Sequence, residues 1–398
     1  MELPRYLIGA VVLAAATLWR DAPATSDRRL NVSILLVGHN EGESIRRCVT
    51  GLREQTIGRQ AGRMQVVVVD DGSVDGMTSE VRRLRAEGLI DNAFCVAPRG
   101  GKSAGVNLGL TACRNEIVVV SDIDTTFDRN ALEVMLRPFA DPTVGAVCGN
   151  LGPRNATATL TSRQQAIEYL ITISLGRRID DMLGTLSIVS GAFGAFRRSA
   201  IQQVGGQDVE VGEDADLTMK LRRAGWRIRF AADARAMTDV PQTMPRLIAQ
   251  RLRWDRGLIT IWMRKFRGNL DPRFATFRLR DAFALLDVLL FQVVLTFAFP
   301  VYLGWLFYVY GTFAVTIIGA TLVGYTLLGS IAYIIAAAFN ADALMGLRLL
   351  PYLPFFVLVQ ICVMRPVRLI ALLQELIFRS SYHDPYVPAR VMRQVERV

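Results

Sequence analysis

The strongest constraint on the fold is an almost uncharged stretch, residues 283–338, in which Asp287 is the only charged side chain. A lipid bilayer offers the backbone no water, so a chain that enters one forms helices or a closed barrel. Residues 283–310 and 312–338 each exceed the about 20 residues that a helix needs to cross. The sequence therefore predicts two membrane helices here, and residues 350–364 form a third, shorter apolar run.

Another apolar stretch, residues 6–19, lies near the N-terminus. Its length is that of a signal-peptide core, and a cleaved signal would export the domain that follows. Arg20, Arg28 and Arg29 follow it directly, and arginine is enriched on the cytoplasmic side of membrane segments. These arginines favour an uncleaved anchor, residues 1–20, with its N-terminus outside.

The C-terminal region poses a conflict. Three full crossings after a cytoplasmic domain would leave the C-terminus outside, yet residues 365–398 carry six arginines, which indicates the cytoplasm. Either residues 350–378 re-enter the membrane or lie at its interface, or Pro300 and Gly304 break the first span in two. The sequence leaves both arrangements open.

Residues 160–183 and 244–266 mix arginines with apolar and aromatic side chains. Cationic helices of this kind often lie on a membrane surface. An ordinary solvated face packed on the domain explains residues 160–183 equally well. For residues 244–266, the proximity of the spans favours the membrane, and Trp262 is interpreted as an interface anchor.

The formal net charge of +10 comes almost entirely from arginine, since Lys102, Lys220 and Lys265 are the only lysines. A basic balance indicates nucleic acid, anionic lipid or a phosphate-bearing substrate. The chain has no zinc finger, RNA-recognition motif or regular aromatic-basic repeat, so no nucleic-acid partner is expected. The five cysteines are scattered without CxxC spacing, which argues against structural zinc and disulfides and fits a reducing cytoplasm.

Before the spans, the sequence alternates between strand-like and helical patterns. Residues 31–37, 64–69 and 117–121 read as buried strands, and a helical pattern starts at about Ser44. This alternation predicts a parallel sheet that binds ligands at the carboxyl ends of its strands. Polar groups stand at those ends, namely Gly38-His39-Asn40-Glu41, Asp70-Asp71 and Asp122-Ile123-Asp124.

Asp122 and Asp124 are separated by one residue, so both carboxylates can face one cation. Mg²⁺ prefers hard oxygen ligands and usually keeps substrate phosphates in its shell. The pair therefore predicts Mg²⁺ or Mn²⁺ bound to a diphosphate. A polar strand end without a metal is the alternative.

Lys102 lies in Arg99-Gly100-Gly101-Lys102-Ser103, which looks like a phosphate-binding P-loop. That motif needs a glycine where this chain has Val96, so it is excluded. A glycine-flanked lysine at a helix start can still meet a phosphate through its charge and the backbone N–H groups.

Two further motifs follow. Glu213 and Asp214 stand at the start of a helical pattern, where acidic residues also serve as simple helix-dipole partners. Gln250, Arg253 and Trp254 fall on one face of a helix, at i, i+3 and i+4. The alternative for this face is an amphipathic helix whose tryptophan anchors at the membrane.

The ordered acidic clusters, followed by Gln250-Arg251-Leu252-Arg253-Trp254, resemble the family-2 glycosyltransferases over roughly residues 31–270. The resemblance is to the processive, membrane-embedded branch that includes cellulose, chitin and hyaluronan synthases. It implies an α/β GT-A (Rossmann-like) domain combined with α-helical transmembrane and interfacial helices. The expected divisions are an anchor at 1–20, a cytoplasmic GT-A domain at 30–243, interfacial helices at 244–280, a transmembrane region at 281–379 and a cytoplasmic tail at 380–398.

The resemblance also implies roles for individual residues. In that family the residues matching Asn40, Glu41 and Asp71 hold the uracil and ribose of a UDP-sugar. The other implied roles are Lys102, Asp122 and Arg253 at the nucleotide-sugar, Asp122 and Asp124 at the metal, Asp214 as catalytic base beside Glu213 as a positioning residue, and Gln250, Trp254 and Ser190 at the acceptor.

The implied function is inverting, metal-dependent transfer of a sugar from a UDP-sugar to a growing β-linked polysaccharide, coupled to its translocation across the inner or plasma membrane. One alternative is the addition of a single sugar to a lipid-linked acceptor. Another is a non-enzymatic scaffold that keeps a degenerate domain, although Asp124 and Asp214 are both present. The gating-loop motif of cellulose synthase is not found, and residues 381–388 are a hypothetical substitute for that lid.

Overall fold

The computed structural model describes residues 6, 8–9, 11–13, 30–60, 62–273, 277–339, 343–384 and 387–393. The chain forms two compact units. We call Ala22–Arg154, Leu186–Asp239 and Ser381–Val398 the sheet unit, and Met1–Asp21, Asn155–Thr185 and Val240–Ser380 the helical unit. Much of the predicted anchor at residues 1–20 lies outside the described residues, and those described between 6 and 13 are helical.

The sheet unit contains an eight-stranded mixed sheet, ordered β3-β2-β1-β4-β7-β6-β8-β5 over the part of the chain that is described. The strands are β1 Val32–Gly38, β2 Met64–Asp71, β3 Asn92–Val96, β4 Ile117–Ser121, β5 Thr126–Phe127, β6 Val144–Pro153, β7 Phe193–Arg197 and β8 Arg227–Thr238.

The helices follow in chain order. They are α1 Gly42–Arg53, α2 Met77–Ala86, α3 Lys102–Leu110, α4 Ala131–Leu136, α5 Leu160–Tyr169, α6 Arg177–Leu183, α7 Arg198–Gln203, α8 Glu213–Arg223, α9 Met244–Ile259, α10 Leu279–Val288, α11 Leu295–Tyr310, α12 Phe313–Ala338, α13 Ala343–Leu349, α14 Leu353–Val359, α15 Arg365–Phe378 and α16 Ala389–Met392. Wider π-helical turns at Leu170–Gly176, Thr260–Lys265, Leu289–Val294 and Gln360–Met364 continue several of them, and short 3₁₀ turns lie at Arg137–Ala140, Arg267–Leu270, Leu350–Tyr352 and Ser380–His383.

Strands β1 to β4 are parallel, as the alternating pattern predicts. Gly38 pairs with Asp70, and Asp71 pairs with Val96, so neighbouring strands end at one edge of the sheet. The rest of the sheet is mixed, because β7 runs antiparallel to both β4 and β6. The polar residues that follow β1, β2 and β4 are thereby gathered at one edge.

Close packing seats helix α3 on the sheet. Strands β1, β2 and β4 are buried along nearly their whole length, as expected for parallel strands covered on both faces. A Cβ at Gly105 would lie 2.5 Å from the Val37 side chain, and one at Gly109 would lie 2.2 Å from that of Leu35. Glycine therefore lets α3 approach β1, which places Lys102, its first residue, at the carboxyl edge.

The helical unit contains three helices, among those described, that are long and apolar enough to cross a membrane: Leu279–Tyr310, Phe313–Ala338 and Gly346–Phe378. The first continues through Pro300 and Gly304 to Tyr310, so the alternative in which these residues break the span is wrong.

The structure also bears on the two amphipathic segments. Ile167 and Ile171, on the helix that starts at Leu160, are buried with Tyr333 and Phe356 of the apolar helices. That segment therefore packs its apolar side chains on other helices of the same unit, and its position at a membrane surface stays a prediction. Trp262 is only 2% exposed, so its interpretation as an interface anchor is wrong. Its ring packs among apolar residues of neighbouring helices, including Leu372.

Polar contacts join α15 to the helix that carries Trp254. Glu375 is fully buried and accepts hydrogen bonds from the Thr260 hydroxyl at 3.0 Å and from Arg264 at 2.5 Å. Arg368 pairs with Asp255 at 3.3 Å. Buried charged groups are costly unless they are paired, and Glu375, Arg368 and Asp255 each have a partner of opposite charge.

Candidate functional site

Asp71 holds the glycine loop that precedes α3. Its Oδ1 accepts the Gly100 N–H at 2.6 Å, and its Oδ2 accepts the Gly101 N–H at 2.8 Å. The side chain is almost fully buried, and Arg99 Nε lies 3.7 Å from Oδ2. The neighbouring Asp70, rather than Asp71, caps the following turn, since it accepts the Ser73 N–H at 3.0 Å. The predicted contact of Asp71 with a base stays a prediction.

Asn40 joins the loops that follow β1 and β2. Its backbone has a φ of 61°, a left-handed conformation that asparagine tolerates better than most residues. Its N–H donates to Ser73 Oγ at 2.9 Å, and its Oδ1 accepts the Val74 N–H at 2.9 Å. The adjacent His39 Nδ1 lies 2.9 Å from the Asp71 carbonyl oxygen. Asn40 therefore holds the loop after β1 against the loop after β2, with one hydrogen bond from its backbone and one to its side chain.

Lys102 and Asp122 form the central ion pair. Lys102 Nζ lies 2.5 Å from Asp122 Oδ1, and the lysine side chain is 14% exposed. Two residues that are 20 positions apart thus meet because α3 and the loop after β4 share one edge of the sheet. The Lys102 ammonium offsets the negative charge of Asp122, whose acidic neighbours are Glu41 and Asp124.

Glu41 and Asp124 are the strongly perturbed carboxylates at this edge. Burial, followed by the charges of Asp124 and Asp122, raises the pKa of Glu41 to about 7. Burial and then the charge of Asp122 raise the pKa of Asp124 above its ordinary range. Burial is the larger cause in both groups, and the charges of the neighbouring carboxylates add to it. Perturbation of this kind is a common feature of functional sites.

Glu213 and Asp214 begin helix α8. Glu213 is buried, and desolvation raises its pKa; Lys102 opposes this shift, while Asp214 adds to it. Asp214 is half-buried, and its Oδ1 accepts the Ala215 N–H at 2.8 Å.

The loop before β7 lies between these groups. A Cβ at Gly191 would lie 3.0 Å from Lys102 Nζ and 3.9 Å from Asp214 Cβ. Lys102 and Asp214 therefore face the same small space, which the absence of a side chain at residue 191 keeps open. Ser190 adjoins this glycine, and its acceptor role stays a prediction.

Sequence reasoning missed two residues that hold Asp124. The Thr238 hydroxyl donates to Asp124 Oδ2 at 3.2 Å, and Arg154 donates to the Asp124 carbonyl oxygen at 2.9 Å. Arg154 is fixed in turn by Asp239, at 2.5 Å. These residues follow or end β6 and β8, far along the chain, and no local motif marks them.

One acidic cluster was also unforeseen. Within the described ranges, one group of three acidic side chains has ligand oxygens within 4.8 Å of one another, namely Asp208, Glu210 and Asp216. Lys220 Nζ lies 2.8 Å from Asp208, so this cluster already contains a positive charge. Asp122 and Asp124 do not belong to such a group, and their predicted metal role stays a prediction.

Gln250, Arg253 and Trp254 lie in α9, within the helical unit, and share the predicted helix. Trp254 is 40% exposed, and the Arg251 guanidinium lies 4.3 Å from its ring centroid. Gln250 Oε1 is buried without a hydrogen-bond partner among the described atoms. An exposed indole beside an unsatisfied amide oxygen suits a sugar, but the acceptor role stays a prediction.

The mixed sheet, with acidic residues at the carboxyl edge of its parallel half, is GT-A-like, and such folds are typical of nucleotide-sugar transferases. The sequence family described as glycosyl transferase family group 2 matches residues 117–353. The chain belongs to this family, which confirms the resemblance found in its motifs.

Curated relatives agree with this assignment. The chain is 28% identical over 250 residues to a poly-β-1,6-N-acetyl-D-glucosamine synthase of Staphylococcus aureus (strain COL), covering 62% of this chain and 59% of that protein. It is 27% identical over 244 residues to the enzyme of the same name from Staphylococcus epidermidis, covering 61% and 58%. The chain thus spans about three fifths of the length of these relatives.

A solved structure confirms the fold. The mannosyltransferase PcManGT from Pyrobaculum calidifontis, in complex with GDP-Man and Mn²⁺, matches 94% of this chain and 97% of its own, with a TM-score of 0.63 at 22% identity.

Proposed function

We propose that this protein transfers a sugar from a UDP-sugar to the growing end of a β-linked polysaccharide at a membrane. The observation that carries the proposal is the Lys102–Asp122 pair at 2.5 Å, with Asp124 and Asp214 at the same edge of the sheet. UDP-N-acetylglucosamine is the first donor to test, because the curated relatives are named as N-acetylglucosamine polymer synthases.

The carboxylates fit a divalent cation. Asp122 and Asp124 supply hard oxygen ligands. Burial, followed by the charge of neighbouring carboxylates, raises the pKa of Glu41 and of Asp124, and a cation would offset that charge. In this proposal Asp122 and Asp124 hold Mg²⁺ or Mn²⁺. When bound, the ion neutralises the charge of the diphosphate that leaves.

In this proposal, side chains of the protein bind the donor and accept the proton of the acceptor. Asn40, Glu41 and Asp71 hold the nucleoside, and the Lys102 ammonium pairs with a phosphate oxygen. Asp214 accepts the proton of the acceptor hydroxyl as this hydroxyl attacks the face of the sugar carbon opposite the leaving group. Attack from the opposite face inverts the anomeric centre, so an α-linked donor gives a β-linked product.

Several features support Asp214 as the base. Its hydrogen bond from the Ala215 N–H fixes the carboxylate at the start of α8, and its Cβ lies beside Gly191, on the same small space as Lys102. Glu213 is buried, so it suits a positioning role better than direct contact with the acceptor hydroxyl. A base of this kind contributes about 10²–10⁴-fold to the rate.

In this proposal the helical unit binds the acceptor and anchors the protein in the membrane. Gln250, Arg253 and Trp254 bind the acceptor end, and the exposed Trp254 indole offers a flat face for a sugar ring. The apolar helices hold the protein in the inner or plasma membrane, with the sheet unit in the cytoplasm, where the flanking arginines favour it. Translocation of the product through these helices is part of the same proposal.

The experiment uses the full chain in lipid nanodiscs with Mn²⁺ and, in separate reactions, UDP-N-acetylglucosamine, UDP-glucose, UDP-glucuronic acid and GDP-mannose. Nucleoside diphosphate release and product size are measured, with Asp214→Asn as the control. Release that accompanies a growing polymer supports the proposal and identifies the donor. A lipid that carries a single sugar would replace the polymerase with a glycolipid synthase, and equal release by wild type and Asp214→Asn would refute the assignment of the base.

A further inference from the structure

Asn107 joins two parts of the sheet unit that the sequence does not connect. Its Nδ2 donates to the Gln207 carbonyl oxygen at 2.8 Å, and the Gln207 N–H donates to its Oδ1 at 2.9 Å. One side-chain amide thus makes two reciprocal hydrogen bonds with the backbone N–H and C=O of a single residue, 100 residues away along the chain. Gln207 is only 3% exposed, so the contact is protected from water.

The segment that Asn107 holds, residues 204–212, leads directly into Glu213 and Asp214. Its backbone fits closely against the amide, because a Cβ at Gly206 would lie 2.4 Å from Asn107 Oδ1. From the other side, Lys220 of α8 donates to the Gly206 carbonyl oxygen at 2.9 Å. The segment is therefore fixed between α3 and α8.

Helix α3 carries Lys102 five residues before Asn107, about 7.5 Å along the helix axis at 1.5 Å per residue. A helix of this length moves as a rigid body, so a contact at Asn107 also fixes the position of Lys102. Because Lys102 and Asp214 both lie against Gly191, a small shift of either helix changes the space between them.

We infer that Asn107 is a positioning residue, which sets the distance between Lys102 on the donor side and the carboxylates Glu213 and Asp214 on the acceptor side. This inference rests on the proposed function. Misplacement of reacting groups by about 1 Å can cost about 100-fold in rate. Loss of the two hydrogen bonds should therefore lower kcat by about 10- to 100-fold, while KM for the donor changes less than about threefold.

The test compares Asn107→Ala with Asn115→Ala. Asn115 is a matched control, because its Nδ2 also donates to a backbone carbonyl, that of Val32, at 2.8 Å, but at the opposite end of β1. Both variants lose a long-range side-chain contact and should lower the thermal midpoint, Asn107→Ala more than Asn115→Ala because it loses two side-chain hydrogen bonds rather than one. Only Asn107→Ala should lower kcat; equal kcat values in the two variants would overturn the inference.

A second arm keeps the test decisive if Asn107→Ala folds poorly. Gly206→Ala leaves Asn107 in place and forces its amide away, and it also strains the backbone, because Gly206 has a φ of 80°. In an Asn107→Ser background only the backbone strain remains, so Gly206→Ala should lower kcat less there than in the wild-type background, and equal losses in both backgrounds would count against a direct contact.

Hydrogen exchange separates this inference from the proposed function. If no donor gives turnover that depends on Asp214, the proposed function fails. Exchange at residues 204–214 then still decides the role of Asn107. Faster exchange there in Asn107→Ala, but not in Asn115→Ala, supports the contact, whereas unchanged exchange overturns it.

Discussion

Asp70 and Asp71 end the same strand and are 1% and 4% exposed, yet the same substitution should affect them differently. Both oxygens of Asp71 accept backbone N–H groups, those of Gly100 and Gly101. In Asp71→Asn, the new NH₂ group faces one of these donors. Because a backbone N–H cannot reverse its direction, one buried donor loses its partner.

Asp70 has a more adaptable partner. It accepts the Ser73 N–H at 3.0 Å through one oxygen and the Thr78 hydroxyl through the other. A hydroxyl accepts hydrogen bonds as well as donating them, so Asp70→Asn can keep both contacts.

The difference in free energy follows from these partners. A buried donor without a partner costs about 1–3 kcal/mol, and loss of the charge from the second bond adds about 1 kcal/mol. We therefore expect Asp71→Asn to destabilise the loop by about 2–4 kcal/mol and Asp70→Asn by about 1 kcal/mol or less. At about 1.4 kcal/mol per tenfold, local opening of the loop rises roughly 30- to 700-fold in Asp71→Asn.

Hydrogen–deuterium exchange with mass spectrometry measures this opening directly. The full chain is compared in nanodiscs as wild type, Asp70→Asn and Asp71→Asn, following the peptide that covers residues 97–104. Exchange there should accelerate strongly only in Asp71→Asn. Similar acceleration in both variants, or none in Asp71→Asn, would refute the reasoning.

Three further outcomes are expected. Asp214→Asn should lower kcat by about 10²–10⁴-fold and leave KM for the donor nearly unchanged, as steady-state kinetics of diphosphate release will show; a loss confined to KM would point to a binding role instead. Arg390 donates to the Pro98 carbonyl oxygen at 2.6 Å, beside the glycine loop that precedes α3. Arg390→Ala should therefore raise KM for the donor about threefold to tenfold, whereas replacement of the exposed Arg393 by alanine should leave KM unchanged. Because Arg390 and Pro98 both belong to the sheet unit, the C-terminus should lie on the same side of the membrane as that unit. A fluorescent protein or alkaline phosphatase fused after residue 240 and, separately, after residue 398 should report the same side. Reports of opposite sides would contradict this topology.

This topology also bears on the number of crossings. An even number of crossings is needed between residues 240 and 380 if both flanking segments lie on one side. In Gly346–Phe378 the second half pairs its charged groups with the segment that carries Trp254: Arg368 with Asp255 of α9, and Glu375 with Arg264 of the π-helical turn that follows. We therefore expect this helix to lie at the interface or re-enter, in agreement with the first alternative drawn from the sequence.

The parallel half of the sheet was predictable because a strand that is buried on both faces has a nearly continuous apolar sequence, as residues 64–69 do. The gathering of the carboxylates after these runs was predictable for the same reason, since parallel strands end at a common edge; their roles in a site stay a prediction. Trp262 was misread because an aromatic residue among arginines has the same local pattern whether it faces lipid or a partner helix.

The sequence by itself determined the family, the GT-A-like fold and the residues at the strand ends, because those depend on local patterns and on motifs in a fixed order. Only the tertiary structure decided that Asp71 holds a loop, that Thr238 and Arg154 support Asp124, and that Asn107 clasps Gln207. The physical reason is that each of these contacts joins residues far apart along the chain. Their spacing carries no signal until the sheet and its helices bring the side chains within hydrogen-bond distance.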